Sequence, residues 1–374
     1  MDVSGLPKTK KLYYDEHLYE FQALVLWVEG DQVVLDQTAF FPRSGGQEPD
    51  HGSINGRDVY DAEPYDGVIV HKVKEPDFKA GDAVKCRVDP SRREQIMKHH
   101  TATHIIDMSA RIILGKHVWQ AGSEKDEDKA HLDITHPQPL TEEQIRSIED
   151  MANDIIRKNE KVTKELLPKE EAERKYGPVI YQGGPIDENV LRIISIPGIE
   201  PEACGGLHVD RTGEVEEVFI ISSKKIRSGA IRIEFVAGKR LVGETKERIA
   251  NEKKNAQESY EKKIAAVREE KEKIKSLKCN SQNLFGINYV DTSDLRELQV
   301  IGRESVRQEP DKYSILIGNG VVFGTRGARS QDNIENIVLE AAKMMGGAAS
   351  ASGNEVKGGG RIKDNGRGIY DRLK

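Results

Sequence analysis

The sequence predicts an α+β protein in several parts: a small antiparallel β-barrel, an α+β domain, a long helical strut and a small C-terminal α/β domain. Three observations carry this reading. Between Phe21 and Asp89, short β-rich runs such as Val33-Val34-Leu35 and Val68-Ile69-Val70 are separated by Gly30-Asp31, Asn55-Gly56 and Asp66-Gly67. Asn-Gly and Asp-Gly are favoured hairpin turns because their central residues tolerate positive φ. Helix signals then precede a last set of strand-like runs, the order of an α+β domain. Finally, residues 239–278 hold no Pro, only Gly243, and dense Lys and Glu.

A chain of 374 residues suggests two or three folded units. Residues 1–20 read as a linker and 21–89 as the barrel. The α+β domain occupies 90–238, and its first helix has clear edges: Pro90 precedes Ser91, Glu94 completes a capping box, and Gly115 is a stop signal. Thr141-Glu142-Glu143-Gln144 repeats the capping signal, and Ile145, Ile148, Ala152, Ile155 and Ile156 share one face of the helix it opens. Residues 190–196, 215–222 and 231–236 read as strands. The strut, 239–280, has a narrow apolar seam through Val242, Ile249, Ala256, Tyr260, Ile264, Val267 and Ile274, the pattern of a weak coiled coil. Residues 281–374 form the last domain, ending in a glycine-rich basic segment.

Composition excludes several classes. The 57 Lys and Arg against 63 Asp and Glu give a net charge of −6, so this is not a globally basic protein that coats nucleic acid. Its apolar runs are far shorter than the roughly 18 residues a bilayer helix requires, so no membrane partner is expected. Cys86, Cys204 and Cys279 are odd in number and far apart, which argues for a reducing, cytoplasmic setting.

Within the first helix, His100-Thr101-Ala102-Thr103-His104 puts two imidazoles one turn apart on one face. About a hundred residues on, Cys204-Gly205-Gly206-Leu207-His208 offers a thiolate and a third imidazole from a loop tightened by two glycines. The four make a nitrogen and sulfur set suited to zinc. His99 is the poorer ligand, because Thr103 stands four residues beyond it. His51, His71, His117, His131 and His136 lack such spacing and read as surface residues. A purely structural zinc is the alternative, since four protein ligands close a tetrahedron.

These two motifs together resemble the zinc-bearing editing domain of alanyl-tRNA synthetases and of freestanding alanyl-tRNA editing proteins; the threonyl-tRNA synthetase editing domain is similar too. The opening Asp2-Val3-Ser4-Gly5-Leu6-Pro7 ahead of Lys11-Leu12-Tyr13-Tyr14-Asp15 resembles the inter-domain linker of archaeal-type enzymes, and three features favour the alanyl branch. Leu35-Asp36-Gln37-Thr38-Ala39-Phe40-Phe41-Pro42-Arg43-Ser44-Gly45-Gly46-Gln47 resembles its glycine-rich barrel motif, a charged strut follows, and Gly358-Gly359-Gly360-Arg361 sits in a tail like that of its C-terminal domain. Leu207 and Ser44 depart from the usual Thr and Gly of the family.

The resemblance implies an editing reaction, hydrolysis of serine, or glycine, from mischarged tRNA(Ala), with one zinc ion per chain. An apolar pocket that accepts alanine discriminates against an added hydroxyl by only about a hundredfold, so a second site is needed. Zinc would either activate water or hold the substrate amino group. Thr103 and Gln47, and less directly Ser123, are the implied substrate contacts. Lys357, Gly358, Gly359, Gly360, Arg361, Lys363 and Arg367 are the implied tRNA contacts, in a segment (354–374) with six basic against three acidic residues. Pairing of two copies through strut and C-terminal domain is implied as well. The ATP-dependent charging domain has no room in this length, so a C-terminal part of a longer enzyme is expected, with ATP used only by the full-length protein. A freestanding editor and a non-catalytic tRNA-binding, dimerising module are the alternatives.

Overall fold

In the computed structural model, all residues are described except 1, 2, 4, 185, 187, 228, 281–283, 362–365 and 374. The chain divides into two compact units, Met1–Ala250 and Asn251–Lys374.

The first unit opens with a closed barrel whose strands follow the order Glu20–Glu29, Gln32–Leu35, Val68–Val73, Arg57–Tyr65, Gly52–Ile54 and Ala83–Val88. All the pairings are antiparallel. Asn55-Gly56 and Asp66-Gly67 turn with positive φ at both residues, as the sequence predicts. Ala83–Val88 alternates exposed and buried residues, sending Val84, Cys86 and Val88 into a core with Val25, Leu35, Phe40 and Ile54. His71 departs from the surface position expected of it. It lies fully buried within the barrel wall, between Thr38 Oγ1 at 2.8 Å and the Val33 carbonyl at 3.2 Å, and burial pushes its pKa down to about 4. An inward strand position, which single-residue spacing does not reveal, decides its environment.

Helix α1 (Pro90–Leu114) follows the barrel. Its cap is Asp89 rather than Ser91: the Asp89 carboxylate accepts from the amides of Ser91 and Arg92. Pro90 fits the first helical position because it has no amide hydrogen to satisfy. Gly115 ends the helix at φ 117°. Almost every residue of α1 from Ile96 to Ala110 is buried, against a four-stranded antiparallel sheet ordered Val218–Arg227, Ala230–Ala237, Ala130–Thr135 and Gln120–Lys125, and against α2 (Glu142–Arg157). The Thr141 capping box forms, and Ile148, Ala152 and Ile156 face the core. A three-stranded sheet, Thr163–Pro168, Val190–Ser195 and Glu202–Ala203, carries α3 (Lys169–Tyr176) and leads into the Cys204 loop.

The division between the units falls within α4 (Lys239–Asn280). Val242 is buried, whereas Tyr260 and Val267 of the seam are 61% and 51% exposed. In the second unit, a five-stranded sheet runs Gly286–Tyr289, Tyr313–Ile317, Val321–Arg326, Glu355–Gly359 and Ala348–Ser352, with only its first pair parallel. Helices α5 (Leu295–Gln308), α6 (Glu335–Met344) and α7 (Gly366–Leu373) complete this unit. Of the glycine-rich segment, Glu355–Gly359 forms a strand of this sheet and Gly366–Leu373 forms α7. No described helix is long and apolar enough to cross a membrane.

One buried ion pair fastens α1 to the barrel. The Arg93 guanidinium bonds the Asp50 carboxylate and the carbonyls of Ala39, Glu16 and Leu18, and the two side chains are 0% and 1% exposed. Removing one partner strands the other charge in a dry interior. We expect Asp50→Ala to cost about 3–5 kcal/mol, read as a lowered denaturation midpoint of the first unit; a change within about 0.5 kcal/mol would contradict this role.

Candidate metal centre

Helix α1 presents His100 and His104 from successive turns, and the Cys204 loop brings Cys204 and His208 to the same point. One ligand atom from each of these four residues lies within 4.8 Å of the others. Ring centroids are 5.4 Å apart for His100 and His104, 4.3 Å for His100 and His208, and 4.8 Å for His104 and His208. Cys204 Sγ stands 3.3 Å from His100 Nε2.

Every imidazole is oriented through its Nδ1. His100 Nδ1 lies 2.8 Å from Gln47 Oε1, His104 Nδ1 2.7 Å from Glu202 Oε2, and His208 Nδ1 3.2 Å from Thr101 Oγ1. Such partners fix the tautomer and aim the other ring nitrogen. His208 Nε2 is buried without a hydrogen-bond partner, a costly state for a polar atom unless something else binds it. This orphaned nitrogen, in a donor set of three imidazoles and one thiolate, fits a borderline-soft divalent ion such as zinc.

The protonation states agree. Burial holds His100 and His208 well below the usual imidazole range, hence neutral. For His104 burial works downward, but the Glu202 carboxylate and Cys204 lift it to about 10, so an arriving cation displaces a proton there. Burial raises the Cys204 thiol and the neighbouring His104 more than offsets it, leaving a net shift toward thiolate.

Glycine is required at two places. A Cβ on Gly206 would lie 1.9 Å from His100 Cε1 and 2.9 Å from Gln47 Oε1. A Cβ on Gly46, whose φ is +73°, would lie 1.9 Å from the Ser123 carbonyl oxygen. The loop is also held by Arg192, which donates to the carbonyls of Cys204 and Gly206 and pairs with Glu16 at 2.6 Å.

His100, His104 and Cys204 line a pocket of about 700 Å³ between the barrel, the Cys204 loop and the three-stranded sheet. Tyr14, Lys125, Leu166, Arg192 and Glu202 also line it. The expected substrate contacts sit behind this wall. Thr103 Oγ1 donates to the His99 carbonyl at 2.8 Å, Ser123 Oγ accepts from Lys125 Nζ at 2.7 Å, and Gln47 Oε1 accepts from the Leu207 amide at 2.9 Å besides facing His100. Their hydrogen bonds in this structure thus run to the α1 backbone, to Lys125, and to His100 and the Cys204 loop. His99 lies apart from the cluster, with Nδ1 at the Asp126 carbonyl. Sequence reasoning missed Glu202, Thr101, Arg192 and Lys125; only Thr101, inside the His motif, carried any local signal.

In the second unit, Gly358 and Gly359 lie in a strand paired on both sides, and a Cβ on Gly360 would lie 2.1 Å from the Met345 carbonyl oxygen, so close packing explains these glycines. Lys357 and Arg361 are exposed. Arg367 faces the rings of Tyr289 and Tyr370 at 5.6 and 5.2 Å. Lys363 lies outside the described residues.

Two family models match the chain: tRNA synthetases class II (A) over residues 7–92, and the threonyl and alanyl tRNA synthetase second additional domain over 191–234. Proteins named alanine--tRNA ligase are similar along it. That of Pyrococcus abyssi is 36% identical over 97% of this chain, and that of Ignicoccus hospitalis is 36% identical over 95%. The enzyme of Nitrosopumilus maritimus is 43% identical over 70%. The matched stretches cover 43%, 41% and 30% of those relatives, so the chain spans less than half their length. If Gly206 is needed for His100 to reach a metal, Gly206→Ala should weaken zinc affinity about tenfold or more in a chelator competition titration; unaltered affinity would refute the packing argument.

Proposed function

The chain belongs to the alanyl-tRNA synthetase family, and from that premise we propose that it carries a proofreading reaction, hydrolysis of the ester joining serine or glycine to tRNA(Ala). The observation that supports this most is the convergence of four ligand atoms within 4.8 Å at the wall of a pocket of about 700 Å³. That volume suits an aminoacyl ester together with its nucleoside better than an amino acid alone.

Zinc, when bound, would supply a Lewis acid that holds the substrate amino group or polarises its water. The residues of the chain do the rest. His100, His104, Cys204 and His208 would hold the ion, while Gln47, Glu202 and Thr101 keep the three imidazoles in register. Thr103, Gln47 and Ser123 act on the substrate indirectly, by fixing the surfaces around it. For serine, such a site corrects what an alanine pocket cannot, because recognition of an added hydroxyl is strong only where polar partners await it.

The second unit would grip the outer part of the tRNA through Lys357, Arg361, Lys363 and Arg367, with the exposed seam of α4 available for a second copy. Charge of this kind positions a nucleic acid through its phosphates without reading sequence.

Chelation of the metal should abolish deacylation of seryl-tRNA(Ala), and Cys204→Ala should do the same in a chain that still folds. An undiminished rate in a metal-retaining Cys204→Ala protein would remove that residue from the reaction. Replacing Lys357 and Arg361 together by Ala should weaken tRNA binding and flatten the slope of log K against log salt by about 1 per lost phosphate contact. An unchanged slope would move the tRNA grip elsewhere.

A further inference from the structure

Lys125 ends the strand Gln120–Lys125, beside the glycine turn of the barrel. Its amide donates to the Gly46 carbonyl at 2.7 Å and its carbonyl accepts from the Glu48 amide at 3.0 Å, so the backbone alone already fastens the turn. The side chain is nevertheless a cation buried to 2% exposure. Its Nζ donates to the Gly45 carbonyl at 3.0 Å and to Ser123 Oγ at 2.7 Å, both uncharged acceptors. No ion pair is formed by Lys125 among the described residues, and an ammonium has three donors, so one N–H is left over. The negative Cys204 and Glu202 act on the ammonium across the same pocket without forming an ion pair, so part of the cost of burying the charge remains, and a neutral side chain would brace the turn without it. Lys125 also lines the pocket together with His100, His104 and Cys204. A ligand atom that gains negative charge in the pocket accounts for both the remaining cost and the location.

We propose that the third N–H of Lys125 donates to the carbonyl oxygen of the aminoacyl ester as that oxygen becomes an oxyanion, which makes Lys125 a catalytic residue. The inference rests on the hydrolase reading of the site. In the reaction, the oxygen of water bonds the ester carbon and the bond from that carbon to the ribose oxygen breaks. One water proton goes to the ribose oxygen and the other to solvent, and the amino acid leaves as a carboxylate. Lys125 transfers no proton; it stabilises the charge that appears between the two bond changes. A donor fixed in advance in a water-poor site is effective because it needs no reorganisation when that charge develops. The hydrogen bonds to Gly45 and Ser123 supply this fixation.

The test is single-turnover deacylation of seryl-tRNA(Ala) by the full chain and by Lys125→Met. Binding of the same tRNA carrying serine through a non-hydrolysable amide, and metal content, are measured in parallel. The expected result is a rate lowered about 10²–10³-fold, with amide-tRNA affinity within about threefold of the unaltered chain and metal retained. A rate within about threefold would overturn the proposal. So would a rate lost together with amide-tRNA affinity or metal, since that is the signature of a structural brace. Should Lys125→Met fail to fold, Lys125→Gln keeps a donor for the Gly45 carbonyl and is judged by the same readouts. An unaltered chain that does not deacylate seryl-tRNA(Ala) overturns the hydrolase reading and Lys125 with it. An active chain with an equally active Lys125→Met overturns the role of Lys125 alone.

Discussion

The buried pair of Arg93 and Asp50 is the constraint on which the site depends. Helix α1 carries His100 and His104, whereas Gln47, which orients His100, belongs to the barrel segment. These groups meet only if the helix leaves the barrel at one angle. Arg93 sets that angle by bonding Asp50 and three backbone carbonyls at once, from less than two turns before His100. A guanidinium suits this role because its donors are coplanar and spread in fixed directions.

Around the four ligands, an outer layer acts on a similar principle. Gln47 faces His100 and accepts from the Leu207 amide, so one amide oxygen ties the barrel to the first helix and to the Cys204 loop. Glu202 precedes Cys204 by two residues and reaches His104, binding the loop's entry strand to the helix. Arg192 does the same for the loop's carbonyls. The loop is thereby positioned without packing a side chain at Gly206, where none fits.

How much of this was legible in the sequence depended on how local each cause was. The hairpin turns at Asn55-Gly56 and Asp66-Gly67, the capping box at Thr141 and the proline-free α4 are set by neighbouring residues, and all form. The cap of α1 was misplaced by two positions because Ser91 and Glu94 imitate a capping box, while Asp89 outcompetes Ser91 as acceptor. The strands Gln120–Lys125, Ala130–Thr135 and Thr163–Pro168 were not anticipated: the first and third carry no apolar alternation, the second alternates over only six residues, and pairing partners as distant as Phe235 for Ala130 are invisible to a local window. In the site, the His and Cys spacing was readable, but Glu202 and Lys125 acquire their surroundings only through tertiary contacts. Likewise, the glycines at 358–360 resemble a flexible tail in sequence, and only the neighbouring strands show that close packing explains them.

The span of the Gln47 bond to Leu207, 160 residues, bears on the order in which the molecule is made. In a chain made from its N-terminus, the residues of the barrel and α1 are synthesised before Cys204 and His208. During that interval the two α1 imidazoles form at most a weak, two-ligand site, and His104 lacks the Glu202 carboxylate. The four candidate ligands can therefore meet only once the chain has been made as far as His208. An ion held by all four would thus report that the barrel segment, the first helix and the Cys204 loop have come together.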